Sequence, residues 1–197
     1  MALPLYLIWA VIGLLLTIGG TLLEVAIASP ASLWGSGSLQ VHSLGVTFQV
    51  GAVLLTACLG GRTAGALAQV SYVALGVLGV MGQAIFGQGG GLSYVQQPTF
   101  GYLLGFIPGA WLCGLLAFRF RPQVEVLAGS CLAGLLVIHT CGMLYLTMFG
   151  LLGLLDLGLF SLGQSLVRYS LAALPAHGAI VCATALLAFC LRRVLLY

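Results

Sequence analysis

Residues 124–149 read VEVLAGSCLAGLLVIHTCGMLYLTMF, a run whose only charged residue is Glu125, second from its start. A bilayer's hydrocarbon core, about 30 Å thick, is crossed by about 20 apolar residues in a helix, and this run is long enough to do so. Working outward from it, five further apolar runs appear, at Leu5–Ala28, Leu44–Leu59, Ala64–Gly82, Tyr102–Phe118 and Leu171–Leu191. The whole chain of 197 residues is 61% hydrophobic and 5% charged, with a mean hydropathy of +1.20. Soluble domains carry roughly a quarter charged residues, so the bilayer is the natural solvent here. The expected fold class is an all-α integral membrane bundle of six transmembrane helices, occupying 1–197 as a single domain. The first apolar run has no basic stretch before it and reads as a retained helix rather than a cleaved leader.

Composition also excludes several activities. The chain has no lysine, and six arginines against three acids are too few and too scattered for a nucleic-acid surface. No Gly-x-x-x-x-Gly-Lys-[Ser/Thr] loop is present, so the chain does not hydrolyse ATP itself. Neither HExxH nor a Ser/His/Asp spacing occurs; an enzyme would have to work through His139, His177 and Asp156. His139, deep in its run, reads as a neutral histidine bonded to a neighbouring helix. The cysteines at 58, 113, 131, 141, 182 and 190 form no CxxC pair and all lie in apolar runs. They read as small membrane-buried side chains, with no metal and no cofactor expected; metal binding or disulfides are the alternatives.

Arginine placement sets the orientation. With six spans, Arg62, Arg119, Arg121, Arg192 and Arg193 all fall on one side, which the positive-inside rule makes the cytoplasm of an inner (plasma) membrane, with both termini there. Arg168 alone falls opposite. Gly150–Tyr169, apolar but interrupted by Asp156, Gln164 and Arg168, reads as an interfacial or re-entrant connection, because a seventh span would push Arg192 and Arg193 outside. The loops rich in Gly, Gln, Ser and Tyr then face outward, where a solute-capturing protein needs its polar groups.

Within residues 47–106 the motifs become specific. Gly45-Val46-Thr47-Phe48-Gln49 precedes an apolar run ending in Gly60-Gly61-Arg62. There follow Gly89-Gly90-Gly91-Leu92-Ser93-Tyr94 and Gln97-Pro98-Thr99-Phe100-Gly101-Tyr102-Leu103-Leu104-Gly105-Phe106. This stretch resembles the BioY family, the biotin-binding substrate-capture components of energy-coupling-factor transporters. The resemblance implies capture of biotin, or a similar small vitamin, and partnership with a membrane coupling (T) subunit and two ATPase subunits. Gly45, Gln97 and Phe100 depart from the family pattern. So do Ala179 and Cys182, which stand where the family carries an aspartate and a lysine, and those two roles do not transfer.

Biotin presents a neutral urea, an apolar ring and a carboxylate. Amide side chains offer donor and acceptor together, so Gln49, Gln88, Gln96 and Gln97 are candidates for the urea, with Thr47 beside Gln49 on the motif. Their alternative is simply to face water. Tyr94 and Tyr102 suit the ring or an interfacial aromatic belt, which Trp34 also fits. For the carboxylate there are Arg168, otherwise a snorkelling surface residue, and the backbone N–H groups around Gly90. His177 either donates to the ligand or is bonded in place. Gly101, Gly105 and Gly109 recur every fourth residue and suit close internal helix packing. By resemblance, the small-residue stripe Ala10, Gly13, Thr17 and Gly20 is expected to be the partner-docking face. A different vitamin, a membrane enzyme and a ligand-free scaffold remain the alternatives to biotin capture.

Overall fold

The computed structural model describes residues 3–28, 41–79, 85–87, 89–155 and 159–195. Helix α1 (Leu3–Leu22) leads into an antiparallel pair of strands, β1 (Glu24–Ala28) and β2 (Val41–Thr47). Helix α2 (Gln49–Leu78), a 3₁₀ turn (Leu92–Gln96), α3 (Phe100–Ala117) and α4 (Val124–Leu151) follow. A short helix α5 (Leu159–Leu166) continues through a π turn (Val167–Leu171) into α6 (Leu174–Leu195). Among the described residues, five helical stretches are long and apolar enough to cross a membrane, the last running Ser161–Leu195. The chain is a multi-pass membrane protein.

Helix α2 is not one straight rod. Gly61 (φ 81°, ψ −179°) interrupts it, a backbone conformation that glycine adopts without a Cβ clash. The chain doubles back there: a Cβ on Gly65 would lie 3.1 Å from Ala57 Cα, and Gln49 Nε2 reaches Tyr72 Oη at 2.7 Å. In a continuous helix those last two residues would be about 35 Å apart. The arms 49–60 and 62–78 are therefore antiparallel, and the turn falls at the expected Gly60-Gly61-Arg62. The first arm rises about 18 Å, and Gln49 at its head is half-buried.

Lipid supplies no hydrophobic drive between helices, so they associate by close packing. Glycine provides it throughout. Gly101 of α3 receives Tyr145, while a Cβ on Gly105 or Gly109 would come within 2.9 Å of an α4 carbonyl oxygen. In return, Gly134 and Gly142 of α4 receive Cys113 and Tyr102. The row on α3 is the internal packing face its spacing suggested. Gly114 lies against the turn of α2, where a Cβ would approach the Gly61 carbonyl carbon to 2.6 Å.

The α1 stripe is used differently from the expectation. Ala10, Gly13 and Thr17 are buried, and Gly13 sits against Thr56 of one α2 arm and Ala68 of the other. Thr17 Oγ1 donates to the Gly13 carbonyl and accepts from Gln69 Nε2 at 3.1 Å. Gly20 abuts the backbone of Gln49. A small-residue stripe signals a close helix neighbour, and here that neighbour belongs to the same chain. The stripe is thus not free to dock a partner; α1 exposes Leu7, Ile8, Val11 and Leu15 instead.

Two boundaries also move. The first apolar run leaves the helix at Leu22, because Glu24-Val25-Ala26-Ile27-Ala28 pairs with β2 and Ser43 Oγ donates to the Glu24 carboxylate at 3.1 Å. Hydropathy alone does not separate an apolar strand from a helix end. At the other end α6 extends past Leu191, and Arg192 turns inward, 4% exposed. It donates to the carbonyls of Cys58 (2.8 Å) and Ala117 (2.9 Å) and covers the Phe118 ring. Between α4 and α6, α5 packs Leu162 onto Gly150, and from Ser161 it is continuous with the fifth apolar stretch.

If glycine contact holds the bundle, Gly109→Val costs about 2–3 kcal/mol through overpacking. Gly129→Ala, exposed on α4 with open space around it, is neutral or gains about 0.5–1 kcal/mol. Unfolding in detergent micelles compares the two; equal stabilities would contradict the packing described.

Candidate functional site

Helices α2, α3 and α6 all begin at the end opposite Arg62, Arg119 and Arg193, where Gln49, Tyr94, Tyr102 and His177 join two side-chain clusters. Tyr72 is the hub of one cluster. Fully buried, its hydroxyl accepts from Gln49 Nε2 (2.7 Å), donates to the Ile85 carbonyl (2.8 Å) and lies 3.2 Å from Thr21 Oγ1. The hairpin makes this pair, since Gln49 and Tyr72 stand nearly equidistant from Gly61. Buried in this way, each polar group needs an internal partner, which the shared hydroxyl provides.

An aromatic row extends from the hub. Tyr72 meets Phe86 edge-on at 5.4 Å, Phe86 meets Tyr94 at 4.7 Å, and Tyr94 faces Phe100 at 6.5 Å. Phe100 reaches Tyr145, whose hydroxyl donates to the Val95 carbonyl. Gly76 makes room for the Phe86 ring, which any Cβ there would strike. The glycine-rich loop is pinned to the same place: Gly91 N–H donates to the Gly76 carbonyl at 2.8 Å, and Phe86 N–H to the Gly89 carbonyl at 3.2 Å. Gly89 (φ 144°) and Gly91 (φ 83°) hold backbone that only glycine adopts freely, and Gly90 between them is half-buried.

A second cluster joins α3, α4 and α6. Tyr102 and Ser170 share a hydroxyl–hydroxyl hydrogen bond of 2.6 Å, and the Tyr102 ring meets His139 edge-on at 5.8 Å. His139, expected to bond to a neighbouring helix, does so: its Nε2 lies 3.1 Å from His177 Nδ1. His139 Nδ1 is buried with no partner among the described residues. An orphaned lone pair is more tolerable than an orphaned N–H. The proton of His139 therefore belongs on Nε2, donating to His177 Nδ1, and that of His177 on Nε2. Gly51 of α2 packs on Ile180 and Thr184 of α6, so the helices that carry Gln49 and His177 are neighbours.

The candidates divide accordingly. Gln49 and Tyr94 join the first cluster; Tyr102 and His177 join the second. Arg168 is exposed, 5.8 Å from the Tyr169 ring, which in turn faces Tyr102 at 6.4 Å. Thr47, half-buried, closes β2 opposite Glu24. Gln96 and Gln97 are exposed, and the backbone of Gln97 serves the turn before α3, accepting from Phe100 N–H. Gln88, Asp156 and Trp34 lie outside the described residues. Sequence reasoning missed Tyr72, Thr21, Phe86 and Ser170. A usable signal existed for Tyr72, because a hairpin centred on Gly60-Gly61 must oppose it to Gln49. Nothing in the sequence marked Ser170.

Comparison with known proteins bears on this arrangement. The model of the BioY family matches residues 7–196. The chain is 35% identical over 130 residues to a probable biotin transporter BioY of Lysinibacillus sphaericus, covering 64% of this chain and 65% of that protein. The matched stretch thus spans just under two thirds of that relative's own length. An uncharacterised 21.2 kDa protein of Cyanophora paradoxa is 29% identical over 196 residues, 96% of this chain and 95% of that one. Among solved structures, the S-component for biotin from an ECF-type ABC transporter superposes with a TM-score of 0.66 at 17% identity, covering 98% of this chain and 95% of that one. That likeness speaks for the fold.

Removing the hub hydroxyl tests the first cluster. Tyr72→Phe strands the Gln49 amide and the Ile85 carbonyl, for an expected loss of about 2 kcal/mol in detergent unfolding. Stability unchanged from the parent would mean the hydroxyl's bonds carry no weight.

Proposed function

This chain belongs to the BioY family, and on that premise we propose that it captures biotin from the extracytoplasmic side as the membrane substrate-binding component of an ECF-type importer. The observation that carries the reading is the bonded pair of Gln49 and Tyr72, beside the aromatic row. Hydrogen-bonded to Tyr72 through one N–H, the Gln49 amide keeps its second N–H and its carbonyl, the complement of a urea. Phe86, Tyr94 and Phe100 supply an apolar wall for the ring. The carboxylate falls to Arg168, to His177 or to backbone N–H groups near Gly90, with Thr47, Gln88, Gln97 and Tyr102 completing the ligand's surroundings. Three helix N-termini at this end favour a negative group.

The two arms of α2 would bring the crossings to six, as one domain with both termini in the cytoplasm of an inner membrane. Arg62, Arg119, Arg121, Arg192 and Arg193 support that orientation, which turns the glycine-rich loops outward. The protein would be a carrier component rather than an enzyme. Lacking a phosphate-binding loop, it would depend on a membrane coupling subunit and two ATPase subunits for energy. With the small-residue stripe of α1 buried, a coupling subunit would meet α1 on its exposed apolar face.

A second reading, capture of another small vitamin, is favoured by Ala179 and Cys182, which also lie exposed on α6. Equilibrium binding of labelled biotin decides between them. Saturable binding is expected, with Gln49→Ala weakening it about tenfold, the worth of roughly one net hydrogen bond, while exposed Gln96→Ala leaves it unchanged. Retention of a different vitamin and none of biotin would transfer the assignment to the second reading.

A further inference from the structure

We propose that Cys58, Cys113 and Cys131 form a thiolate site for one zinc ion at the arginine-bearing end of the bundle. The three come from three helical segments, the first arm of α2, α3 and α4, and all are fully buried at 0% exposure. Their sulfurs converge on one point: Cys58 Sγ lies 3.7 Å from Cys113 Sγ and 3.5 Å from Cys131 Sγ, and all three fall within 4.8 Å of one another. Zinc–sulfur bonds of about 2.3 Å in a tetrahedron place sulfurs about 3.8 Å apart, so small side-chain shifts would enclose an ion. The backbone holds the sulfurs there, since Gly134 lets the Cys113 Cβ come close. The Leu54 carbonyl, 3.8 Å from Cys113 Sγ, is an oxygen at the cluster for a fourth position.

Charge favours a divalent ion such as this one over Cu⁺. Three thiolates around Zn²⁺ leave a net charge of −1, and in an apolar layer an uncompensated charge is expensive. Arg192, buried on the Cys58 carbonyl at 2.8 Å, brings the offsetting positive charge. Cu⁺ on the same ligands would leave −2, which one guanidinium does not balance. Binding exchanges three S–H bonds for three Zn–S bonds and releases three protons, so occupancy falls on acidification. At the same end, a cleft lined by Gly60, Gly61, Arg62, Gly114, Phe118 and Arg119 comes within two residues of Cys58 and one of Cys113.

The test is elemental analysis of the full chain, purified in detergent without chelator from cells grown with added zinc. About one zinc per chain is expected, falling to below about a tenth in Cys131→Ser, with Cys190→Ser, an exposed thiol, unchanged. Cobalt in place of zinc should give thiolate-to-cobalt charge-transfer absorption that Cys131→Ser abolishes. Wild-type protein free of zinc would overturn the proposal, whatever the variants do. So would copper or iron in its place, or zinc that survives Cys131→Ser and disappears in His139→Gln, which would place it on the histidine pair. Should Cys131→Ser fail to fold, the wild-type metal content and its cobalt spectrum decide alone.

Discussion

Backbones that touch are the constraint on which this molecule depends. In hydrocarbon, pressing two helices together releases no water, and their attraction comes from the contact itself. Gly105 and Gly109 bring α3 onto the carbonyls of α4; Gly114 brings it onto the turn at Gly61; Gly13 and Gly20 seat α1 in the α2 hairpin. Each glycine works by what it omits, a Cβ that would stand where a neighbouring atom already is.

From those contacts the polar architecture follows. Because α2 doubles back at Gly61, Gln49 at the head of its first arm is bonded to Tyr72 on its second. A hydroxyl shared among Gln49, Ile85 and Thr21 then makes a polar floor tolerable in an apolar setting, where each unmet group would be costly. The second cluster obeys the same logic, with Tyr102 bonded to Ser170 and His139 to His177. At the opposite end, Arg192 turns inward on the Cys58 and Ala117 carbonyls, tying α6 to the hairpin and to α3.

Much of the bundle was legible because hydrocarbon imposes a simple code of length and polarity, and because the Gly-Gly-Arg turn and the α3 glycine row announce themselves. Other features were legible only in part or not at all. The strand at Glu24–Ala28 is as apolar as the helix before it, so hydropathy carried the helix too far. The stripe at Ala10, Gly13 and Thr17 announced a close neighbour without naming it. The site was half legible: the motif pointed to Gln49, Tyr94 and Tyr102, whereas Tyr72 and Ser170 enter through folding geometry and carry no local mark. His139 and His177 were each visible, but their pairing depends on how α4 and α6 align, which no spacing along the chain encodes.

The proposed function rests on retention of one vitamin, biotin, by this chain. The most direct measurement is mass spectrometry of the small molecules released by denaturing the detergent-purified chain, expressed in cells supplied with biotin and washed free of unbound solutes. Biotin is expected, near one per chain. Another small molecule at that stoichiometry, or none in protein that remains folded, would contradict it.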